Sequence, residues 1–170
     1  DKSDKKINDR TWCFWSQHTA EWDAVISKKW KTIRFKSAGF DAEIPLKKYT
    51  YSKIEGLDFY NQIFEQLQAS KNFQFRTETY LSHREHSVSV EVQTKNNTYS
   101  AEKLFTSILP PERLEKQTQF PVLQQHFIGW EVETPSSVFD PEIATFMDFD
   151  IPQRGNTRFM YVLPNAKNKA

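Results

Sequence analysis

Residues 147–164, MDFDIPQRGNTRFMYVLP, are the stretch that decides how the rest of the chain can fold. Two apolar runs typical of strands flank the polar connection at residues 152–157, which contains a glycine suited to a reversal. Side chains alternate along the first run, which predicts that Phe146, Asp148 and Asp150 share one face of a strand. A carboxylate in such a pattern either lines a cavity or is solvated, and the pattern alone leaves both interpretations of Asp148 open.

The composition describes an aromatic-rich chain whose charges balance. Its 170 residues contain 23 basic and 22 acidic side chains, so the formal charge of +1 gives no argument for nucleic-acid binding. Aromatic residues make up 15%, including 14 Phe and 5 Trp, which predicts large packed rings and an aromatic-lined cavity. The single Cys13 excludes an internal disulfide and indicates a reducing compartment. No apolar run reaches the roughly 18 residues of a membrane span, so we expect a cytoplasmic protein, soluble or peripheral to a membrane.

Hydrophobic periodicity predicts an α+β fold with more strand than helix. Residues 57–69 place apolar side chains on one side of a helix, and Gly56 marks its start. Residues 19–31 also carry apolar residues at helical spacing, with Thr19 as the N-cap. The remaining apolar segments are typical of strands: residues 11–15, 32–37, 42–46, 73–79, 87–94, 98–100, 103–109, 129–134, 144–149 and 158–163.

Two clusters of polar residues could form binding sites, but each also has a simpler explanation. His83 and His86 lie three residues apart between two strands, but no third ligand accompanies them, so we predict no metal site. The lysines between residues 28 and 36 suit the end of a helix or a solvated face. They also offer a surface for anionic lipid, formed by Lys28, Lys29, Lys31 and Lys36 with Trp30 and Phe35.

Six short motifs, taken in order, make the sequence similar to the lycopene β-cyclase family of carotenoid biosynthesis. They are NDRTWCFW at 8–15, GLDFY at 56–60, QHFIGW at 125–130, VFDP at 138–141, MDF at 147–149 and RFMYVLP at 158–164. Each is weak alone, but as a set they are specific and span essentially the whole chain. The resemblance implies the mixed, β-rich substrate-domain region of a two-domain FAD/NAD(P)-binding flavoprotein of the p-hydroxybenzoate hydroxylase type.

The resemblance also implies a domain division and a cofactor. Residues 1–15 and 73–109 would belong to the dinucleotide-binding domain, and residues 16–72 and 110–170 to the substrate domain. Asp1 would bind the adenosine ribose of FAD, and Arg10 would come close to the cofactor.

Two parts of the family pattern have no counterpart among these 170 residues. The Gly-rich turn that holds the FAD pyrophosphate is not formed by any of the four glycines, and the family's essential Glu would follow Ala170. We therefore expect an internal part of a flavoprotein that by itself binds FAD weakly or not at all and is inactive. The full-length protein is expected to use FAD, kept reduced by NAD(P)H.

The reaction implied by the resemblance closes the ψ end groups of lycopene, or of a related carotenoid, into β-ionone rings without net redox change. Asp148 is the candidate catalytic residue, which would stabilise a carbocation or relay a proton. The candidate cavity wall consists of Trp12, Trp15, Trp130 and Phe149. Because the substrate dissolves in lipid, we expect the protein to be peripheral to a membrane.

Two other functions remain open from the sequence. One is a flavin-dependent hydroxylase or reductase of the same architecture, and the other is a module that binds an apolar ligand without chemistry. An isomeric product of unchanged mass would distinguish the cyclase from both. The sequence leaves open the oligomeric state and whether one or both ends of lycopene are cyclised.

Overall fold

The computed structural model describes residues 7–17, 21–108 and 118–170, so the predictions for Asp1 and Thr19 lie outside the described residues. These residues form two compact units, one within Asp1–Lys71 and Gly129–Ala170 and the other within Asn72–Ile128. The described residues contain one α-helix and ten strands. The β-rich α+β class is therefore confirmed. The assignment of segments to a dinucleotide-binding and a substrate domain stays a prediction.

The first unit contains a three-stranded antiparallel sheet, built from β1 (Thr11–Ser16), β2 (Ile26–Trp30) and β5 (Thr50–Glu55). Its order is β1-β5-β2, so β5 lies in the centre. Four consecutive residues of this central strand are buried: Tyr51, Ser52, Lys53 and Ile54. Burial of both faces of β5 means that one face is covered by a helix and the other by a second sheet.

Helix α1 (Gly56–Ala69) follows β5 directly, which confirms the helix predicted at residues 57–69. Phe59 of the helix packs on Trp12 of β1, with ring centroids 4.9 Å apart. Asn8 caps the helix, because its side-chain oxygen accepts a hydrogen bond of 2.8 Å from the Leu57 amide. Gly56 permits this close approach, since a Cβ there would lie 2.7 Å from the Arg10 carbonyl oxygen.

The second sheet of this unit is mixed and has four strands. It contains β3 (Thr32–Ser37), β4 (Phe40–Pro45), β9 (Ile143–Asp148) and β10 (Met160–Val162), in the order β10-β9-β3-β4. Strands β3 and β9 pair in parallel, and the other neighbours are antiparallel. The two strands predicted within residues 144–163 are thus confirmed, with a shorter second strand.

The connection between β9 and β10 is closed by one side chain. Gln153 donates hydrogen bonds to the carbonyl oxygens of Phe149 and Arg158 and accepts one from the Arg158 amide. Gly155 has a φ of 81°, which suits the reversal predicted there. The two sheets meet at a core of Trp30, Ile33, Tyr51 and Ala144.

The second unit contains the antiparallel sheet β6-β7-β8. Its strands are β6 (Tyr80–Glu85), β7 (Val90–Thr94) and β8 (Thr98–Ala101). The predicted turn at residues 95–97 joins β7 to β8, which confirms the hairpin. The predicted strand at residues 87–94 is shorter than expected, because pairing begins at Val90.

The helix predicted at residues 19–31 was wrong. Residues 21–25 form a turn, and Ile26–Trp30 form β2. Helical spacing of apolar residues is ambiguous in a short segment, and pairing with β5 wins because it buries Trp30 to 1% exposure.

Three strand predictions were also wrong. Residues 73–79 and the described part of 103–109 have no regular structure. Residues 129–134 form only one isolated bridge, between Glu133 and Lys169. An apolar run becomes a strand only where a neighbouring strand satisfies its backbone. The described parts of the first two segments have no such neighbour, and residues 132–134 bond only the last three residues of the chain, which is too short a pairing for a strand. Among the helices of the described residues, none is long and apolar enough to cross a membrane.

Candidate functional site

Nine aromatic residues in the first unit form a continuous series of ring contacts, which we call the ring chain. Each ring contacts the next, with centroid separations between 4.6 and 6.1 Å. The members, in order of contact, are Trp30, Tyr51, Trp15, Phe146, Tyr161, Phe159, Phe149, Phe35 and Phe40. They come from both sheets of the unit and from the connection before β10, so the ring chain exists only in the folded protein.

Phe146 is the centre of the ring chain. Its ring lies 5.1 Å from Trp15, 5.5 Å from Tyr51 and 5.7 Å from Tyr161, with interplanar angles between 63° and 88°. Such edge-to-face contacts are a preferred geometry for aromatic pairs. Loss of the Phe146 ring would therefore remove contacts to three neighbours at once.

The ring chain opens to solvent at a small apolar trough. Trp15, Leu46 and Tyr49 line this trough, which is open to solvent and has a volume of about 230 Å³. Trp15 is 40% exposed and Tyr49 is 48% exposed, so both rings present apolar surface to the outside. Because Trp15 also contacts Tyr51 and Phe146, an apolar molecule in the trough would touch one ring of the ring chain, Trp15.

A buried polar cluster adjoins Tyr51 on the same face of β5. The Lys53 side chain is 7% exposed, and its ammonium lies 2.8 Å from a Glu55 carboxylate oxygen. It also donates a hydrogen bond of 2.7 Å to the side-chain oxygen of Asn165. Lys53 thereby links the central strand to the segment that follows β10, and the carboxylate and amide compensate its buried charge.

Cys13 and Tyr51 interact through their side chains beside this cluster. Burial raises the pKa of the Cys13 thiol, although the hydrogen bond from Tyr51 and the charge of Lys53 act against the shift. Burial also raises the pKa of the Tyr51 hydroxyl, and Cys13 adds to that shift. Both groups are therefore neutral at physiological pH, which suits an apolar cavity wall.

Asp148 lies away from the ring chain. It pairs with Lys36 in the parallel register and opposite Met160 in the antiparallel one, and it interacts electrostatically with Lys36 and Arg34. Its carboxylate accepts a hydrogen bond of 2.8 Å from the Asp150 amide. The prediction that Asp148 and Phe146 share a face was wrong.

The reason is a β-bulge in β9. Arg34 pairs with Thr145 and Phe35 with Met147, so Phe146 is an extra residue in the ladder. The pairing with β10 shows the same extra residue in β9, because the step from Met160 to Val162 in β10 matches a step of three residues, from Asp148 to Thr145, in β9. The bulge keeps Phe146 on the core face and turns Asp148 toward the cations of β3.

The four predicted wall residues separate into two groups. Trp15 and Phe149 both belong to the ring chain. Trp12 lies on the other face of β1, where its ring packs on Phe59 and Tyr60 of α1. Trp130 is 82% exposed and lies outside any strand or helix.

Of the two predicted FAD-binding residues, only Arg10 is described. Its guanidinium donates two hydrogen bonds to Asp9 and is about half exposed. The helix that begins next to it is α1, whose first turn is already capped by Asn8. The Gly56 amide donates to the Arg10 carbonyl and the first turn carries the Asp58 carboxylate, so the N-terminus of α1 does not fit an anionic pyrophosphate.

Sequence reasoning missed most of the ring chain. Phe159 and Tyr161 stand in one of the family motifs, and their alternating positions before and within β10 were a usable signal. Tyr51 and Phe146 carried a weaker signal, because their role depends on the meeting of two sheets. Lys53 and Asn165 carried none, since 112 residues separate them.

The histidines of the second unit show no metal geometry. A nitrogen of the His83 ring lies 2.5 Å from the Tyr80 hydroxyl oxygen. Among the described residues, no group of three or more His, Cys, Asp or Glu side chains could hold a metal ion.

The first unit thus carries contiguous aromatic rings beside an open apolar trough. The family model described as lycopene cyclase protein matches residues 1–170. The chain belongs to this family, which associates it with carotenoid biosynthesis and with cyclisation as its class of activity. No curated protein and no solved structure matches the chain.

Proposed function

We propose that the full-length protein is a lycopene β-cyclase and that the ring chain contributes to its substrate site. The single observation that carries this proposal is the unbroken series of aromatic contacts from Trp15 through Phe146 to Phe149. A carotenoid is a long, apolar, conjugated molecule, and aromatic side chains offer it large contact area without polar groups that would need partners.

The proposed reaction is an isomerisation. A proton adds to the terminal double bond of a ψ end group and leaves a tertiary carbocation. The electron pair of a nearby double bond of the same chain then forms the new ring bond, which moves the positive charge into the ring. Loss of one ring proton gives the β-ionone ring, so one proton enters, one leaves and the mass does not change.

The ring chain suits the cationic stage of this reaction. A cation above an aromatic face is stabilised by about 0.5 to 2 kcal/mol, more when water is excluded. Phe146 and Tyr161 are the rings that we propose for this contact. They lie in the middle of the ring chain, and neighbouring rings fix the orientation of their planes. Preorganised rings need no reorientation when the charge develops.

Two elements of the expected mechanism are left without a step. The described residues do not fit the pyrophosphate of FAD, so no step is derived through the flavin, although reduced FAD with NAD(P)H as donor remains part of the proposal for the full-length protein. Asp148 receives no step either, because its carboxylate accepts the Asp150 amide and is a close electrostatic neighbour of Lys36 and Arg34, whose own ion pairs are made with Asp150 and Asp41. We further propose a cytoplasmic location on a membrane surface.

Product analysis tests the proposal. The full-length protein is incubated with lycopene, FAD and NADPH. The carotenoids are then separated by chromatography, and their molecular masses are measured by mass spectrometry. We expect a cyclic product with the mass of lycopene. An oxygenated or hydrogenated product would identify a hydroxylase or reductase instead, and bound but unchanged lycopene would identify a binding module.

A further inference from the structure

The trough and the turn beside it combine exposed aromatic surface with uncompensated positive charge. We define the docking turn as residues 46–49, which connect β4 to β5. Two backbone hydrogen bonds fix it, from the Leu46 amide to the Lys31 carbonyl at 2.8 Å and from the Tyr49 amide to the Leu46 carbonyl at 2.9 Å. Lys47 has a φ of 51°, which completes the reversal. The backbone of the turn is therefore fixed, and its two lysines leave from defined positions.

The two lysines of the docking turn differ from others in the same unit. Lys47 and Lys48 are exposed, and neither forms an ion pair within the part of the chain that the structure describes. By contrast, three of the four lysines of the predicted lipid surface are engaged: Lys28 with Glu142 at 3.7 Å, Lys29 with Asp23 at 2.5 Å and Lys36 with Asp150 at 3.0 Å. The fourth, Lys31, is exposed like the two lysines of the docking turn, and its carbonyl accepts the Leu46 amide of that turn. Trp30, the ring expected at that surface, is 1% exposed.

Apolar surface lies directly next to these free cations. Trp15 and Tyr49 are 40% and 48% exposed at the trough, and Leu46 forms its remaining wall. The edge strand β4, which leads into the turn, adds Phe40 and Ile44, both exposed. The pairing of Ile44 with Ile33 puts Ile44 on the apolar face of the second sheet, so these side chains extend the same apolar side.

From this combination we infer that the docking turn and its trough bind an anionic lipid bilayer. Trp and Tyr rings favour the headgroup level of a bilayer, where their apolar body and polar edge are both accommodated. Lysine side chains beside them reach lipid phosphates and gain from the negative surface potential. A neutral apolar partner would gain nothing from the two cations, whereas an anionic bilayer satisfies both parts of the surface. The inference extends the proposed function, because an apolar substrate would pass from lipid to Trp15, the first exposed ring.

Vesicle binding tests this inference. The purified protein is sedimented with vesicles of phosphatidylglycerol and phosphatidylcholine in equal amounts, or of phosphatidylcholine alone. We expect preferential binding to the mixed vesicles, and at least about tenfold weaker binding to them for Lys47→Glu/Lys48→Glu. Tyr49→Ser is expected to weaken binding to both kinds of vesicle, because it removes apolar surface.

The matched control reverses the same amount of charge elsewhere. Lys71→Glu/Lys95→Glu changes two exposed lysines outside the docking turn and should bind mixed vesicles like the unmodified protein. Equal loss in the control, or unchanged binding by Lys47→Glu/Lys48→Glu, would overturn the inference. A dimer in sedimentation velocity without lipid that Tyr49→Ser dissociates would also overturn it and identify a second copy as the occupant.

The result of the vesicle experiment does not depend on whether the protein cyclises lycopene. Vesicle binding is measured without turnover, and cyclisation is measured separately with lycopene supplied in detergent micelles. Failure of the docking turn would leave micellar cyclisation intact, whereas failure of the proposed function would leave the lipid preference intact.

Discussion

Phe146 and Asp148 lie on opposite faces of β9, although only one residue separates them. Strict alternation would place them on the same face, but the β-bulge at Phe146 inserts one residue into the ladder with β3. The two side chains of this short strand therefore lie in different environments. Phe146 packs among Trp15, Tyr51 and Tyr161, and Asp148 faces the cations of β3.

The first prediction concerns Asp148. Asp148→Asn keeps an acceptor for the Asp150 amide and removes only the charge opposite Lys36. Because Lys36 and Arg34 keep their ion pairs with Asp150 and Asp41, we expect a loss of unfolding free energy below about 1 kcal/mol. Turnover of lycopene by the full-length protein should stay close to normal. A fall in turnover of about a hundredfold at unchanged stability would instead establish Asp148 as the catalytic carboxylate.

The second prediction concerns Phe146. Phe146→Leu keeps an apolar side chain of similar volume but removes the ring face, so the full-length enzyme should turn over lycopene about tenfold more slowly. The cost in unfolding free energy should stay below about 1.5 kcal/mol. Steady-state kinetics and urea denaturation measure the two effects.

Phe59→Leu is the matched control for this exchange. Phe59 packs on Trp12 and Trp22, away from the ring chain, and the chemical change is identical. We expect a similar loss of stability with normal turnover. Equal loss of turnover in both variants would show that the effect of Phe146→Leu is purely structural.

The third prediction concerns the buried cation. Lys53→Met keeps the aliphatic stem but leaves the Glu55 carboxylate and the Asn165 amide oxygen without their buried partner. Loss of one member of a buried pair should lower the unfolding free energy by about 3 kcal/mol, measured by urea denaturation. Adding Glu55→Gln should restore part of the loss, because the uncompensated carboxylate is then gone. No recovery in the double variant would mean that the ion pair is not the source of the effect.

The fourth prediction concerns stability at alkaline pH. Burial raises the pKa of the Cys13 thiol above its unfolded value, so the contribution of the neutral thiol is fully present below the unfolded pKa of about 8.5 and is lost as the pH rises through the folded pKa. The unfolding free energy should therefore fall from about pH 8.5 upward. Cys13→Ala should show a shallower fall, with the remainder from Tyr51 and Tyr161, whose pKa values burial also raises. Parallel pH profiles for the two proteins would contradict the assignment to Cys13.

The sequence by itself determined the class of fold and several elements. Helix α1 and the strands β3, β9 and β10 follow from local periodicity and turn residues, because those patterns need no information from distant segments. The family motifs pointed to the lycopene cyclases, and two of the four residues predicted for the cavity wall, Trp15 and Phe149, belong to the ring chain.

Only the tertiary structure decided which residues meet. Ile26–Trp30 is a strand because β5 lies beside it, and the apolar spacing that suggested a helix instead fills the core between two sheets. Lys53 and Asn165 are brought together across 112 residues. Trp130 is exposed, although the sequence predicted it in the same cavity wall as Trp15. The physical reason is that strand pairing, bulges and burial depend on neighbours distant in the chain, whereas periodicity records only which side of its own element a residue occupies.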